Sequence, residues 1–435
     1  MFKLSEINVR RDKFTLPNGM VVTSFYRPCT PIYLEMSFIA GSRYDPVGKE
    51  GLAHFLEHLL VSGTKRFPSK DLLSGFIEDL GGSISARTGI DTISIRLSLG
   101  DEDDLRTGIY LLSEILFNSL FDKGTIEIER SVIQRELEMK RSSPGRMLHD
   151  INRELVFQGT SISRPILGTT ETIKSINKDD ISNYFSDSVC GSNGSITVSG
   201  GVDAQELEHL LKNKLLLPRG ERREIGSNLP ISRNRIRDCM YFDNNSLEVM
   251  LSFRTVGILH NDAISLSILS GILGGGRSGS LKKKLRYELG IAYSVNVLSF
   301  AGVDNGFFSM SCPISKENLQ QTLDVICEEL KRIIDKGPTD DELRLTKNRI
   351  IKSMKIHMQT SQNWVELHDY RDLFCPDLNW TVETLLEDIE VVTAEEIKKV
   401  ARRYFATDAW YLAMVGPVNN ELTRQVNVNL VNSND

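Results

Sequence analysis

The chain lacks several features that would place it in a special class of protein. Its 435 residues contain no run of about 18 apolar residues, so no transmembrane helix is expected. The first residues, MFKLSEINVRRDKFTLPNG, have no apolar signal core and no small-residue cleavage site. They therefore predict no removable leader and a cytoplasmic location. No CxxC pair occurs, which predicts reduced and mostly buried thiols at six scattered positions: Cys29, Cys190, Cys239, Cys312, Cys327 and Cys375.

Positive charge is not in excess either. The net charge is −6 and the isoelectric point is about 5.8, which argues against a general nucleic-acid-binding surface. Apolar residues make up 40% and charged residues 25% of the chain, as is ordinary for a soluble globular protein. The length exceeds what one ordinary core holds, so two or more domains are expected.

The two halves of the chain resemble each other. The segment IKSINKDDISNYFSDSVCGSNGSITVSGGVD at residues 173–203 has a counterpart in IEVVTAEEIKKVARRYFATDAWYLAMVGPVN at residues 389–419, 216 positions further on. Phe38 and Phe253 are offset by 215 positions and stand in similar apolar contexts. Because the offset is nearly constant and the order is preserved, the sequence indicates an internal duplication.

The duplication predicts an α+β fold of two structurally similar domains, 1–220 and 221–435. Each is expected to be a mixed β-sheet with helices packed mainly on one face. The join at residues 217–238 is rich in Arg, Pro, Gly and Ser, as is typical of a solvated linker. In the first half, strands are predicted at 12–26 and 31–40, a strand pair at 82–99, and helices at 48–62, 69–80, 102–117 and 124–141.

Residues 51–64, GLAHFLEHLLVSGT, hold two of only seven histidines. On a helix, His54, Glu57 and His58 fall within an arc of roughly 100°. The apolar residues occupy the opposite face and are expected to pack inward: Leu52, Phe55, Leu56, Leu59 and Leu60. Histidines four residues apart can bind one cation, and neutral imidazole suits Zn²⁺. The alternative is a solvent-exposed polar face that carries two histidines.

The second half favours a site. Its counterpart of this segment, LSILSGILGGG at residues 266–276, keeps the apolar character but has no His or Glu. If the fold required the polar trio, both halves should carry it. The trio therefore indicates chemistry and not a structural requirement.

A catalytic zinc site needs a third protein ligand and an open position. The best candidates are Glu129 and Glu136 in TIEIERSVIQRELEMKR, residues 125–141. They are seven positions apart, so two helical turns place them on one face, which suits one ligand and one residue that orients a ligand. The two glutamates are expected to lie on one helix stripe with the apolar residues Ile126, Val132 and Ile133. Burying a carboxylate in such a stripe is costly unless it is paired or bound to a metal. The alternative is a pair of partly exposed salt-bridge residues.

The segment GSRYDPVGKEGLAHFLEHLLVSGTKRFPS resembles the pitrilysin, insulin-degrading enzyme and mitochondrial processing peptidase family, whose inverted zinc motif is His-x-x-Glu-His. In that family the third ligand follows in a segment similar to ERSVIQRE, which here places Glu136 78 residues after His58. The resemblance implies that His54, His58 and Glu136 bind one zinc ion per chain. It also implies that Glu57 is the general base and that Glu129 supports the site.

Two further segments resemble the same family. GGGRSGSLKKKLRYELGIAYSV at residues 274–295 implies that Arg286 and Tyr293 contact substrate, and no Gly-Lys-Ser/Thr follows that would make it a P-loop. SISARTGIDT resembles the family's substrate-binding Asn-Ala-x-Thr strand, with Ser85 in place of Asn and with Ala86 and Thr88 matching. The serine changes one side-chain contact and leaves backbone pairing with a peptide intact.

The resemblance implies a zinc metallopeptidase that cleaves short or unfolded peptides, bound as an added edge strand in an enclosed chamber. The alternative is a non-catalytic or partner-dependent subunit of a related heterodimeric processing peptidase or assembly, although such chains usually lose part of the zinc set. Because the zinc residues lie in the first half and Arg286 and Tyr293 lie in the second, a homodimer is expected. A heterodimer with a zinc-less relative remains the other arrangement. No nucleic acid or membrane partner is expected.

Overall fold

The computed structural model describes residues 9–226, 235–407 and 409–430. Residues 1–8, part of the segment predicted to contain no leader, lie outside this range. Residues 227–234, in the middle of the predicted linker, lie outside it as well. The strands are β1 Arg10–Thr15, β2 Val21–Tyr26, β3 Ile32–Phe38, β4 Ser83–Thr88, β5 Ile93–Leu99, β6 Gly194–Gly200, β7 Ile236–Tyr241, β8 Leu247–Thr255, β9 Asn296–Ala301, β10 Gly306–Ile314 and β11 Tyr411–Gly416.

The helices follow the pattern predicted for the first half. They are α1 Leu52–Leu60, α2 Lys70–Glu78, α3 Leu105–Asn118, α4 Lys123–Arg141, α5 Pro144–Val156, α6 Thr170–Ser175, α7 Lys178–Ser188, α8 Ala204–Lys214, α9 Asp262–Gly274, α10 Ser280–Lys282 with a π-helical turn Lys283–Glu288, α11 Leu319–Lys336, α12 Asp340–His357, α13 Ser361–Phe374, α14 Val382–Val391, α15 Ala394–Phe405 and α16 Asn420–Gln425. Within the described residues, no helix combines the length and apolar character needed to cross a membrane.

The first sheet is mixed and has the strand order β1-β2-β6-β3-β5-β4. Strands β2 and β6 are parallel, and the other neighbours are antiparallel. The alternation in β3, IYLEMSF, turns its four apolar side chains to one face of the sheet, where they join the main hydrophobic core: Ile32, Leu34, Met36 and Phe38. Helices α1, α2, α3, α4, α7 and α8 contribute apolar residues to the same core.

The second sheet repeats this topology. Its order, β7-β11-β8-β10-β9, matches that of β2-β6-β3-β5-β4, and β7 and β11 form the corresponding parallel pair. The register repeats as well, because Val21 pairs with Ser195 in the first sheet and Ile236 pairs with Tyr411 in the second. These equivalents are 215 and 216 positions apart. The duplication and the α+β fold with two similar domains are therefore confirmed.

The two compact units of the chain are not separated by a single boundary, because each combines segments from both halves. Within the described parts of the chain, one compact unit comprises Met1–Glu138, Arg164–Glu224 and Met354–Thr384, and the other comprises Met139–Ser163, Ile225–Ser353 and Leu385–Asp435. Helix α13 of the second half packs on β3 and β6, and helix α5 of the first half packs on β8 and β11. The strands of the first sheet lie before residue 220 and those of the second sheet lie after it, whereas each compact unit takes helices from both halves.

The cysteines agree in part with the prediction. All six are free thiols. Cys190, Cys312 and Cys327 are buried, Cys239 and Cys375 are half-buried, and Cys29 is exposed. Burial raises the pKa of the Cys312 thiol to about 12, so this group is uncharged at neutral pH.

Candidate metal centre

Helix α1 begins at a backbone position that requires glycine. Gly51 has φ +94°, and a Cβ atom there would lie 2.8 Å from the carbonyl oxygen of Leu167. The buried carboxylate of Asp45 accepts hydrogen bonds from the backbone N–H groups of Gly51 and Ala53, both at 2.8 Å. Two of the unpaired N–H groups of the first turn are thereby satisfied, which fixes the start of the helix that carries both histidines.

The helix places its apolar and polar residues as the periodicity predicts. Its apolar residues are at most 1% exposed, which confirms the inward face: Leu52, Phe55, Leu56, Leu59 and Leu60. The rings of His54 and His58 are neighbours on the other side, with centroids 4.6 Å apart. His54 is 7% exposed, so the alternative of a freely solvated polar face does not apply to it.

On α4, the predicted apolar stripe is wrong in detail. Ile126, Glu129 and Ile133 are buried, but Val132 is 39% exposed and the Glu136 side chain is also 39% exposed. The buried arc is completed instead by Leu137. At 100° per residue, the two carboxylates lie on the helix surface between the buried residues and the exposed Val132. They are therefore at the margin of the buried face and not at its centre.

Three donor groups meet between α1 and α4. The Oε2 atom of Glu136 lies 3.7 Å from Nε2 of His54 and 3.6 Å from Nε2 of His58. Ligands around a tetrahedral zinc ion lie about 3.4 Å from one another when the bonds are about 2.1 Å long. The two oxygen–nitrogen distances are thus close to those expected around a tetrahedral zinc ion. Among the described residues, these three form the one group whose ligand atoms all lie within 4.8 Å of each other.

Glu129 supports one of these histidines. Its Oε2 atom is 2.9 Å from Nδ1 of His58, which leaves Nε2 to face the candidate metal position. The hydroxyl of Ser62 donates to Oε1 of Glu129 at 2.6 Å. Burial raises the pKa of Glu129, but the hydrogen bonds from His58 and Ser62 outweigh it and lower the pKa. Ser62 was missed at the sequence level, since a serine just after a helix gives no signal for this contact.

Burial lowers the pKa of His58, but the hydrogen bonds to Glu129 and Glu136 and the charge of Glu57 outweigh it and raise the pKa to about 9. A cation at Nε2 competes with this proton, because a metal ligand must be the neutral imidazole.

Glu57 lies at the edge of this cluster. Its Oε2 atom is 3.8 Å from Nε2 of His54, and it accepts a hydrogen bond from Oγ1 of Thr88 at 3.1 Å. Burial raises the pKa of Glu57, although the charge of His58 and the Thr88 hydroxyl act in the other direction. A carboxylate with a raised pKa is a stronger base than an ordinary carboxylate.

Among the described residues, strand β4 is the last strand of the first sheet, so one of its backbone edges has no partner in that sheet. Its residues alternate between exposed and half-buried. Ser85 is exposed, whereas Ala86 and Thr88 are half-buried. The structure thus brings Thr88 to the metal centre and places Ser85 on the other side of the strand.

Arg286 and Tyr293 lie in the other compact unit. Arg286 is carried by the π-helical turn that follows α10, and Tyr293 follows five residues after that turn. The Arg286 guanidinium stacks 4.9 Å above the Tyr293 ring, and Tyr293 is 80% exposed. The two predicted substrate-contacting residues are therefore adjacent to each other.

Two family profiles match consecutive parts of this chain. The profile described as insulinase (peptidase family M16) matches residues 26–170, and the profile described as peptidase M16 inactive domain matches residues 175–350. The first contains the three candidate ligands and Glu57, and the second contains Arg286 and Tyr293. The chain belongs to the M16 family of peptidases.

Individual relatives agree over almost the whole chain. The chain is similar to an uncharacterised zinc protease of Bacillus subtilis, YmxG, with 23% identity over 94% of this chain and 98% of that protein. It is 28% identical to the beta subunit of the mitochondrial-processing peptidase of Bos taurus, over 95% of this chain and 86% of that protein. A protease from Helicobacter pylori has the same fold, with a TM-score of 0.86 and 20% identity over 94% of this chain and all of that one. Relatives named zinc proteases place the chain in a metallopeptidase family.

Proposed function

We propose that the chain is a zinc-dependent endopeptidase that hydrolyses short or unfolded peptides. The observation that carries this proposal is the meeting of His54, His58 and Glu136 at distances that suit tetrahedral zinc, with Glu57 beside them. When bound, zinc supplies a Lewis acid that lowers the pKa of a water molecule and polarises the scissile carbonyl.

The protein's own groups supply the rest of the mechanism. Glu129 fixes the ring of His58 through Nδ1 and so directs Nε2 toward the ion. Glu57 accepts the proton of the attacking water and passes it to the leaving amine. The free edge of β4 binds the peptide as an added strand through the backbone of Ser85, Ala86 and Thr88.

Arg286 and Tyr293 contact the substrate and stabilise the negative charge that develops on the carbonyl oxygen. We place them in a homodimer in which the second half of one copy completes the site of the other. A cytoplasmic location is part of the same proposal.

Zinc content and peptide cleavage test this function. The purified chain should hold about one zinc per polypeptide and should cleave a quenched peptide library in a chelator-sensitive manner. Glu57→Gln should keep the zinc but lose several orders of magnitude in kcat, because the base is gone while the three ligands remain. Glu138→Gln, an exposed change on the same helix as Glu136, is the matched control and should match the wild type.

The competing proposal is a non-catalytic or partner-dependent subunit. It is favoured by the relative that is named a beta subunit. It predicts no cleavage by the chain alone, whether or not zinc is bound, and no loss on Glu57→Gln. Two zinc ions per chain, or zinc retention after His58→Ala, would contradict the metal assignment.

A further inference from the structure

One hydrogen bond joins the strand proposed to bind the peptide to the carboxylate proposed to act as base. Thr88 is the last residue of β4, and its hydroxyl donates to Oε2 of Glu57 at 3.1 Å. The direction of this bond is fixed, because an ionised carboxylate only accepts hydrogen bonds. The same Oε2 atom is the one that lies 3.8 Å from Nε2 of His54. Thr88 therefore holds the oxygen that faces the metal ligands.

The Glu57 carboxylate needs such a restraint. Rotation about the terminal torsion of a glutamate is broad, so the side chain alone does not fix the direction of its oxygens. Its side chain is only 14% exposed, so water has limited access to take the place of the threonine.

Alternation of side chains along β4 explains how this strand can contact both the Glu57 carboxylate and a bound peptide. Ile84, Ala86 and Thr88 are half-buried, and the residues between them are exposed. Thr88 points toward α1, while the backbone at the free edge of β4 stays available for an added strand. The same strand thus positions both the peptide and the Glu57 carboxylate.

We propose that Thr88 is a positioning residue, which aims the Glu57 carboxylate and couples its direction to the strand on which the peptide lies. This inference rests on the proposed peptidase function. It gives Thr88 an effect on turnover and not on peptide affinity, which distinguishes it from a residue that only binds substrate.

Two substitutions at this position test the inference. Thr88→Val keeps the β-branched shape that suits a strand but removes the donor, and should lower kcat by about 10- to 100-fold with KM within about two-fold of the wild type. Thr88→Ser keeps the donor and should restore kcat to within about three-fold. Thr92→Val, the same change in the half-buried turn after β4, is the matched control and should behave as the wild type.

Readouts other than turnover separate positioning from folding and binding. Zinc content and melting temperature should be the same in the wild type and in both Thr88 variants. In the Glu57→Gln background, Thr88→Val should leave the affinity for a fluorescent peptide unchanged in anisotropy measurements. An unchanged kcat, a rise in KM alone, a loss of zinc or a failure of serine to rescue would each overturn the inference. If the wild type itself shows no zinc-dependent cleavage, the proposed function has failed before the variants are compared.

Discussion

The two glutamates of α4 occupy different positions around the histidines. Glu136 reaches the Nε2 atoms of both histidines, whereas Glu129 reaches Nδ1 of His58 only. Glu129 is also held by Ser62 and is 7% exposed, so its direction is restrained on both oxygens. A group in direct contact with a cation and a group that orients a ligand should respond differently to neutralisation.

Replacing each glutamate by glutamine should separate these two roles. Glu136→Gln should abolish zinc binding, because it removes the charged ligand. Glu129→Gln should keep measurable zinc binding with an affinity or activity lowered by about 10- to 100-fold, as is usual for groups that orient a ligand. Zinc titration with a competing chelator measures both effects.

The control for this pair is Glu138→Gln, which removes a carboxylate from the exposed side of α4. Equal losses from Glu129→Gln and Glu136→Gln would show that the assignment of ligand and orienting residue is incorrect.

At the scale of elements, the π-helical turn that carries Arg286 is anchored by an ion pair to a buried carboxylate. Lys284 in this turn donates to Oε2 of Glu329 in α11 at 2.7 Å, and Arg332 donates to Oε1 at 2.7 Å. Glu329 is fully buried. Burial raises the pKa of its carboxyl group, but the hydrogen bonds from Arg332 and Lys284 outweigh this and lower the pKa to about 2.

This depressed pKa predicts an acid-dependent contribution to stability. Since the ordinary pKa is 4.5, the ionised carboxylate stabilises the folded state fully above that pH and progressively less as the pH falls toward 2. Glu329→Gln should therefore lower the free energy of unfolding by about 2–3 kcal/mol at pH 7, and the difference from the wild type should shrink between pH 4.5 and pH 2. Denaturant unfolding at several pH values measures it.

Glu328→Gln is the matched control, because it alters the exposed neighbour on the same helix. Its unfolding curve should follow that of the wild type. A constant difference between Glu329→Gln and the wild type across this pH range would show that the ion pair does not set the acid response.

At the scale of the whole molecule, the duplication has left the two halves with different residues. The first half has the candidate zinc ligands and Glu57, and the second half has Arg286 and Tyr293. If the homodimer proposed above pairs a first half with a second half of the other copy, one lesion in each half can be complemented by mixing.

Mixing two inactive variants tests this arrangement. Glu57→Gln protein and Arg286→Ala/Tyr293→Phe protein should each be nearly inactive alone. After subunit exchange, a mixed dimer has one site with both lesions and one site with none, so activity should recover to about a quarter of the wild type. Peptide cleavage before and after exchange is the measurement. No recovery, once exchange has been demonstrated with labelled subunits, would reject the trans arrangement.

Some of this architecture was predictable from local sequence. The periodicity of residues 51–64 placed the two histidines on one face of α1, because side-chain direction follows directly from residue spacing on a helix. The constant offset of about 215 positions predicted two similar sheets, since a duplicated sequence keeps its strand order. For α4, spacing showed that the two glutamates share a face. Spacing did not show that they lie at its margin, because burial also depends on what packs against the helix.

Helix α13 shows most clearly what local pattern could not predict. Its buried residues are half polar, with Ser361, His368, Asp369 and Asp372 beside Trp364, Val365, Leu373 and Phe374, so no continuous apolar stripe assigns it to a sheet. Asp369 accepts hydrogen bonds from Ser37 of β3 at 2.6 Å and from Thr197 of β6 at 3.2 Å. Burial raises the pKa of Asp369 well above its usual value. Ser37 is 332 positions and Thr197 172 positions from Asp369 in the sequence. The apolar and polar pattern of β3 and β6 does not predict which helix packs on them.

The sequence by itself determined the duplication, the strands and helices of the first half, and the two turns of helix that carry His54, Glu57 and His58. It did so because these properties depend on spacing between near neighbours and on similarity between the halves. Only the tertiary structure decided which sheet α13 covers, that Ser62 reaches Glu129, and that Thr88 reaches Glu57. Those contacts join residues that are distant along the chain, so they exist only once the apolar faces of separate elements have packed together.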